Sequence, residues 1–291
     1  MELNAAGSKL PYAARYPNGA ASQSLACDSA GTIHFAGPAG LVSTLAPAGP
    51  PLMRVFGVAN SAYGNIGGRF ASGELISIYG PHIGPVTPVI TKADSTGAMP
   101  TAVAGLQVLA VEEGAPGASP IPLPLLYVSD SQINAVVPYN VSGAVGLRIV
   151  NGASSPDFPL TAVPAAPEIF QNPDFSAVAV NQDLTLNSSG HPAPAGSIVS
   201  VWVTGTGFTG GANPGTLAPA ARNSDCCTVA LGDAQAYVLY SGDTPGTVGG
   251  VTQINFQIPL LSPYAVYPAA IGFGVSAGSV SSHGATIYVT P

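Results

Sequence analysis

The sequence predicts an all-β protein: two tandem immunoglobulin-like β-sandwiches, residues 61–168 and 169–291, behind a short β-rich segment over residues 1–60. Three observations predict it. First, 36 glycines and 29 prolines punctuate the 291 residues, and no Gly/Pro-free run beyond about 15 residues shows the roughly 3.6-residue period of an amphipathic helix. Second, hydrophobic residues make up 46% of the chain, enough apolar surface to build cores and to exclude disorder. Third, the chain from residue 61 onward repeats itself at offsets of 123 and 121, with short alternating apolar runs between turn residues, as in a sandwich.

Charge excludes several function classes. Seven Lys and Arg against fourteen Asp and Glu give a net charge of −7, and the basic residues are too scattered to form a stripe for nucleic acid. No apolar stretch is long enough to span a membrane. The start, Met1-Glu2-Leu3-Asn4, lacks the basic and apolar regions of a signal peptide, so any secretion signal is expected outside this chain. Charge-poor β chains rich in Ser, Thr, Gly and Asn are commoner outside cells, and the expected location is extracellular or cell-surface. Cys27, Cys226 and Cys227 are too few for a disulfide framework and are not spaced like zinc ligands. Adjacent Cys226 and Cys227 are a candidate vicinal disulfide, with a bridge to Cys27 as the alternative.

Within residues 1–60, Ala26 to Gly37 and Gly40 to Leu45 read as short strands around an Asp28–Gly31 turn. This stretch resembles a single blade fragment of a secreted β-propeller repeat. One blade cannot bury its own faces. Either the chain is the tail of a longer protein or this segment borrows a partner. In the repeated part, Gly73-Glu74-Leu75-Ile76-Ser77-Ile78-Tyr79 matches Gly196-Ser197-Ile198-Val199-Ser200-Val201-Trp202. Leu126-Tyr127 matches Leu239-Tyr240, and Gln132-Ile133-Asn134 through Pro138 matches Gln253-Ile254-Asn255 through Pro259. Alternation places Ile254, Phe256 and Ile258 on one face and Gln253, Asn255 and Gln257 on the other. Pro259 ends that strand. The later strands Gly146–Val150 and Leu160–Val163 find counterparts in Ala270–Val275 and Ala285–Thr290. A hairpin, Ala177–Val180 and Leu184–Asn187 around Asn181-Gln182-Asp183, bridges the copies.

The order Leu125-Leu126-Tyr127-Val128-Ser129, Gln132-Ile133-Asn134 with Val137-Pro138-Tyr139, Ala166-Pro167 with Ile169-Phe170, Asn181-Gln182-Asp183, Pro192-Ala193, and Gly249-Gly250-Val251 with Gln253-Ile254-Asn255 resembles the Solibacter-type C-terminal domain family of secreted bacterial proteins. The resemblance covers roughly residues 58–291. It implies a C-terminal position in long exported proteins and no known catalytic residues. Members usually carry Gly where this chain has Leu184. Each copy is also similar to immunoglobulin-like domains of the transcription-factor and plexin type.

The chemical motifs lack their structural contexts. Gly274-Val275-Ser276-Ala277-Gly278 matches a nucleophile elbow, but a strand rather than a helix is expected after it. Gly205-Thr206-Gly207-Phe208-Thr209-Gly210 formally matches a dinucleotide fingerprint, yet Gly211-Ala212-Asn213-Pro214 cannot open the required helix. Asn181, Asp183, Thr185 and Asn187 alternate like calcium ligands, with one carboxylate and no Gly at the sixth loop position, so a hydrogen-bonded turn is the reading. His34, His82, His191 and His283 lie in separate segments, and the paired acids Glu112 and Glu113 sit in a polar turn. No metal or cofactor site is read.

Tyr79 and Trp202 occupy equivalent positions opposite the aliphatic face and are the candidate recognition aromatics; their bland role is to cover loops or the junction. Gln132 with Asn134, and Gln253 with Asn255, form with Pro138 and Pro259 the structural repeat motif, their amides expected on neighbouring backbone. The function expected is a non-catalytic extracellular structural or adhesive module, self-assembling into a fibre or surface layer by docking residues 20–46 on a neighbouring chain. The alternative is a carbohydrate-binding module that uses exposed aromatics on polysaccharide. A hydrolase with a site invisible in sequence comes third.

Overall fold

The computed structural model describes residues 53–291 apart from Asn65 and residues 115–116, 208–209 and 261–267, together with the backbone of three earlier strands. Every regular element among them is a β-strand. Two compact units are present, 1–52 and 53–291. In the first, β1 (Ser24–Cys27), β2 (Ile33–Ala36) and β3 (Val42–Leu45) form an antiparallel meander that pairs Cys27 with Ile33 and Ile33 with Leu45. The side chains of residues 20–46, Cys27 and His34 included, lie outside the described residues, and so does the docking expected of that segment.

The second unit holds two cores. The first lies between two sheets. One runs β4 (Gly57–Asn60), β6 (Leu75–Tyr79), β11 (Gln132–Val136), β10 (Leu125–Val128), β7 (Val89–Ile90). The other runs β5 (Arg69–Ala71), β14 (Phe158–Val163), β12 (Ala144–Asn151), β8 (Gln107–Glu112), β9 (Ile121–Pro122), with β13 (Ala153–Ser154) on β12. Period-two alternation sends Ile76, Ile78 and Ile133 inward from the first sheet, against Val108, Leu147 and Ile149 from the second. Burying each such side chain contributes about 1.5–3 kcal/mol. Because β4 pairs with β6, this sandwich includes residues 57–60.

The second core is wrapped by one ladder: β15 (Glu168–Ile169), β18 (Ile198–Thr204), β22 (Val251–Gln257), β21 (Ala234–Asp243), β20 (Cys227–Leu231), β23 (Ala269–Ala277), β25 (Ala285–Thr290), β17 (Ala193–Pro194). Short strands β16 (Ala179–Asn181), β19 (Arg222–Asn223) and β24 (Val280–Ser281) attach to β18, β21 and β23. Ten-residue β21 makes the ladder continuous: its first half pairs with β20 and its second half with β22. Val199, Val201, Ile254 and Phe256 meet Val229, Phe273, Val275 and Ile287 inside, and the Phe256 and Phe273 rings stack at 5.3 Å.

Hydrogen bonds tie the sandwiches together. Thr204, fully buried, accepts the Leu75 N–H at Oγ1 (2.9 Å) and donates to the Gly250 carbonyl (2.7 Å). Ala166 donates to the Gly205 carbonyl at 2.8 Å, and Leu217 to that of Gly97 at 2.8 Å. The Tyr139 hydroxyl donates to the Ala212 carbonyl at 3.0 Å. At Gly250, φ is 114° and a Cβ would lie 2.2 Å from the Gly73 carbonyl oxygen, so only glycine lets the strands approach this closely. His283 stacks on Tyr63 at 4.4 Å and pairs through Nδ1 with Glu168 Oε1 at 2.5 Å. This histidine, exposed in the loop before β25, therefore joins the two sandwiches.

Candidate functional site

The outward face of β6, β11 and β10 carries a row of aromatic and amide side chains. Register places Tyr79 beside Gln132, Ser77 beside Asn134, and Tyr127 beside Asn134 from the other side. The face of β18, β22 and β21 repeats it: Trp202 beside Gln253, Ser200 beside Asn255, and Tyr240 beside Asn255. In both rows the glutamine donates to the asparagine two residues on, Gln132 Nε2 to Asn134 Oδ1 at 2.8 Å and Gln253 Nε2 to Asn255 Oδ1 at 2.7 Å. This corrects the expected pairing of these amides with loop backbone. Side chains two apart on a strand share a face, so the nearest partner for each amide is the other. Thr244 Oγ1 also donates to Gln253 Oε1 at 2.6 Å. All of Tyr79, Tyr127, Trp202 and Tyr240 are half-buried, with part of each open to solvent.

Tyr127 and Tyr240 are members that sequence reasoning missed. Each follows a register shift, between Leu125 and Tyr127 in β10 and between Val238 and Tyr240 in β21. A bulge re-aims the next side chain, and the two bulges stand at matching places in the repeat. Tyr240 is held in place: its hydroxyl accepts the Arg222 N–H at 3.1 Å and donates to the Asp243 carbonyl. Burial pushes its phenol upward against the opposing bond from the Arg222 N–H, with a smaller push from the Asp243 carboxylate. No row member carries a formal charge, and what the rows offer is a set of flat ring faces flanked by paired amide dipoles.

The other sequence candidates fall elsewhere. Pro138 and Pro259 lie just past β11 and β22, where a missing N–H stops the ladder. In the hairpin, Asp183 accepts both the N–H and the hydroxyl of Thr185, while Asn181 and Asn187 bond each other. These groups hold the turn, and Leu184 takes the left-handed conformation at φ 68°. Ser276 lies within β23 and meets Ser281 at 2.8 Å across a hairpin. His82 pairs with Asp130 at 3.1 Å, and no group of three metal-ligating side chains forms among the described residues. Cys226 and Cys227 are free thiols with sulfurs 2.6 Å apart, so the expected vicinal bond is not formed, although its partners touch. Two depressions, one along β20 and β21 at Thr228 and Tyr237 and one by Asn172 and Tyr288, lie off the aromatic rows.

The fold is thus all-β, and none of its described elements is a helix able to cross a membrane. No family model and no curated protein matches the chain. Among solved structures it is similar to SGBP-B from a complex xyloglucan utilization locus in Bacteroides uniformis, at 12% identity and a TM-score of 0.25, over 82% of this chain and 50% of that one. It is also similar to gamma-CGTase from alkalophilic Bacillus clarkii, at 12% identity and a TM-score of 0.27, over 93% of this chain and 31% of the enzyme. The chain thus spans half or less of either structure. The expectation of a chain without enzyme activity is withdrawn, because one of these two neighbours is itself an enzyme. So distant a likeness assigns no reaction to this chain.

Proposed function

We propose that the chain binds neutral polysaccharide through the outward rows of both sandwiches. One observation carries this reading: an aromatic, a clasped Gln–Asn pair and a bulge-aimed tyrosine recur at equivalent registers in both copies. Aromatic faces stack on the apolar faces of sugar rings, and the free amide donors and acceptors suit the hydroxyls at the ring edge. Trp202 and Tyr240 lie on strands two apart, about 10 Å across the sheet, a span suited to successive rings of a chain. The absence of formal charge in the rows favours a neutral glycan over an acidic one. An extracellular or cell-surface location fits the charge-poor composition and the resemblance to exported bacterial domains.

The alternative of strand addition has little to work with in the sandwiches. Of their terminal strands, β7, β9, β15 and β17 are two residues long, β5 three and β4 four, and short edges are a common device against edge-to-edge pairing. The test of glycan binding is electrophoresis of the full chain through gels containing xyloglucan, hydroxyethyl cellulose or soluble starch. At least one polymer is expected to retard the chain, with W202A and Y79A each weakening retardation several-fold. Absence of retardation in all three gels, or unchanged retardation of both variants, would contradict the reading.

A further inference from the structure

Adjacent side chains of an extended strand point to opposite faces, yet those of Cys226 and Cys227 converge. Their sulfurs are 2.6 Å apart, well inside non-bonded contact. Asp225, left-handed at φ 49°, turns the chain just before the pair. Cys227 opens β20 and is 7% exposed, packed in the second core. Cys226 is only partly buried and stands beside Ser241, to whose Oγ its N–H donates at 3.2 Å. Glycan recognition uses neither sulfur.

We propose that Cys226 and Cys227 form a thiol–disulfide exchange site, which a small-molecule disulfide oxidises to a vicinal disulfide. The more accessible sulfur, Cys226, attacks as thiolate. It displaces one thiolate from the small disulfide and forms a mixed disulfide. Cys227 then gives its proton to the first departed thiolate and attacks Cys226 Sγ, releasing the second small thiolate, which takes up from solvent the proton that Cys226 lost on ionising. The pair loses two protons and two electrons, and the small disulfide takes up both to become two thiols. The division of roles follows the surroundings: a hydrogen bond from the Cys227 thiol holds Cys226 down at about 6, while that bond and burial push Cys227 upward. Bridging neighbouring residues strains the bond, which keeps it reducible.

The experiment uses the full chain with Cys27→Ser, leaving only these two thiols, treated with glutathione disulfide under native conditions and weighed by intact mass spectrometry. Loss of two hydrogens with no retained glutathione is the expected result. Adding Cys227→Ser should trap one glutathione on Cys226, and adding Cys226→Ser should leave the buried Cys227 unmodified. A persistent glutathione adduct on the two-thiol chain, or no change in its mass, would overturn the proposal. Modification of Cys227 in the absence of Cys226 would overturn the assignment of the attacking sulfur.

Discussion

Glu74 is a carboxyl with 1% of its surface exposed, in the turn before β6 and next to the Leu75–Thr204 bond that joins the sandwiches. Its Oε2 accepts the Ala71 N–H at 2.7 Å. Burial, the largest influence, outweighs the bonds from Ala71 and Asn60 and, with a smaller push from Glu168, raises its carboxyl from 4.5 to about 8. The native state therefore holds a proton that the unfolded chain releases. Between about 4.5 and 8 the native chain binds more protons than the unfolded one, so stability is greatest below this window and falls as pH rises through it. Urea midpoints across that range should decline for the native chain, by several kcal/mol in the extrapolated free energy. E74Q, which cannot titrate, should lose that decline whatever its absolute stability. Equal slopes in both proteins would show that Glu74 does not titrate there.

At the scale of the element, the hairpin before β17 closes with a residue poorly suited to its backbone. Leu184 is left-handed at φ 68° and 84% exposed, and a non-glycine residue there costs about 1–2 kcal/mol. The bonds from Thr185 to Asp183 and between Asn181 and Asn187 hold the turn regardless. L184G should therefore raise stability by up to about 1 kcal/mol, after the larger entropy of glycine in the unfolded chain is subtracted; thermal melting checks it, and a lower midpoint would contradict the strain. The bulges show why the candidate site was only half legible in sequence. Tyr79 and Trp202 sit in strands whose aliphatic residues Ile76 and Ile78, and Val199 and Val201, are spaced two apart, so period two placed both on the face opposite them. In β10 both Leu126 and Tyr127 are half-buried between buried Leu125 and Val128. The alternation breaks at the extra residue, and with it the only sequence signal for where Tyr127 and Tyr240 point.

Across the whole molecule, the all-β class and the pairing of the two copies were legible because each repeat keeps its inward aliphatic residues and its strand-ending proline. The junction was not legible. It is built by backbone groups, by Thr204 and by a stacked histidine whose partners are more than a hundred residues away, at separations no local pattern encodes. T204V keeps the side-chain volume but leaves the Leu75 N–H and the Gly250 carbonyl without this partner, so it should cost about 1–3 kcal/mol. Calorimetry should show the transition of residues 53–291 moving to lower temperature or splitting in two. An unchanged transition would mean that Thr204 does not couple the sandwiches.

The repeated rows are tested most directly by the emission of Trp202, because the chain contains a single tryptophan. Titrating the full chain with the polysaccharide that retards it most should give a saturable change in intensity and a blue shift as a sugar ring covers the indole. Adding the same amount of a chemically unrelated neutral polymer should leave the spectrum unchanged. Saturable binding measured by calorimetry on the same samples, with no change in Trp202 emission, would contradict placement of the glycan on the outward row of the second sandwich.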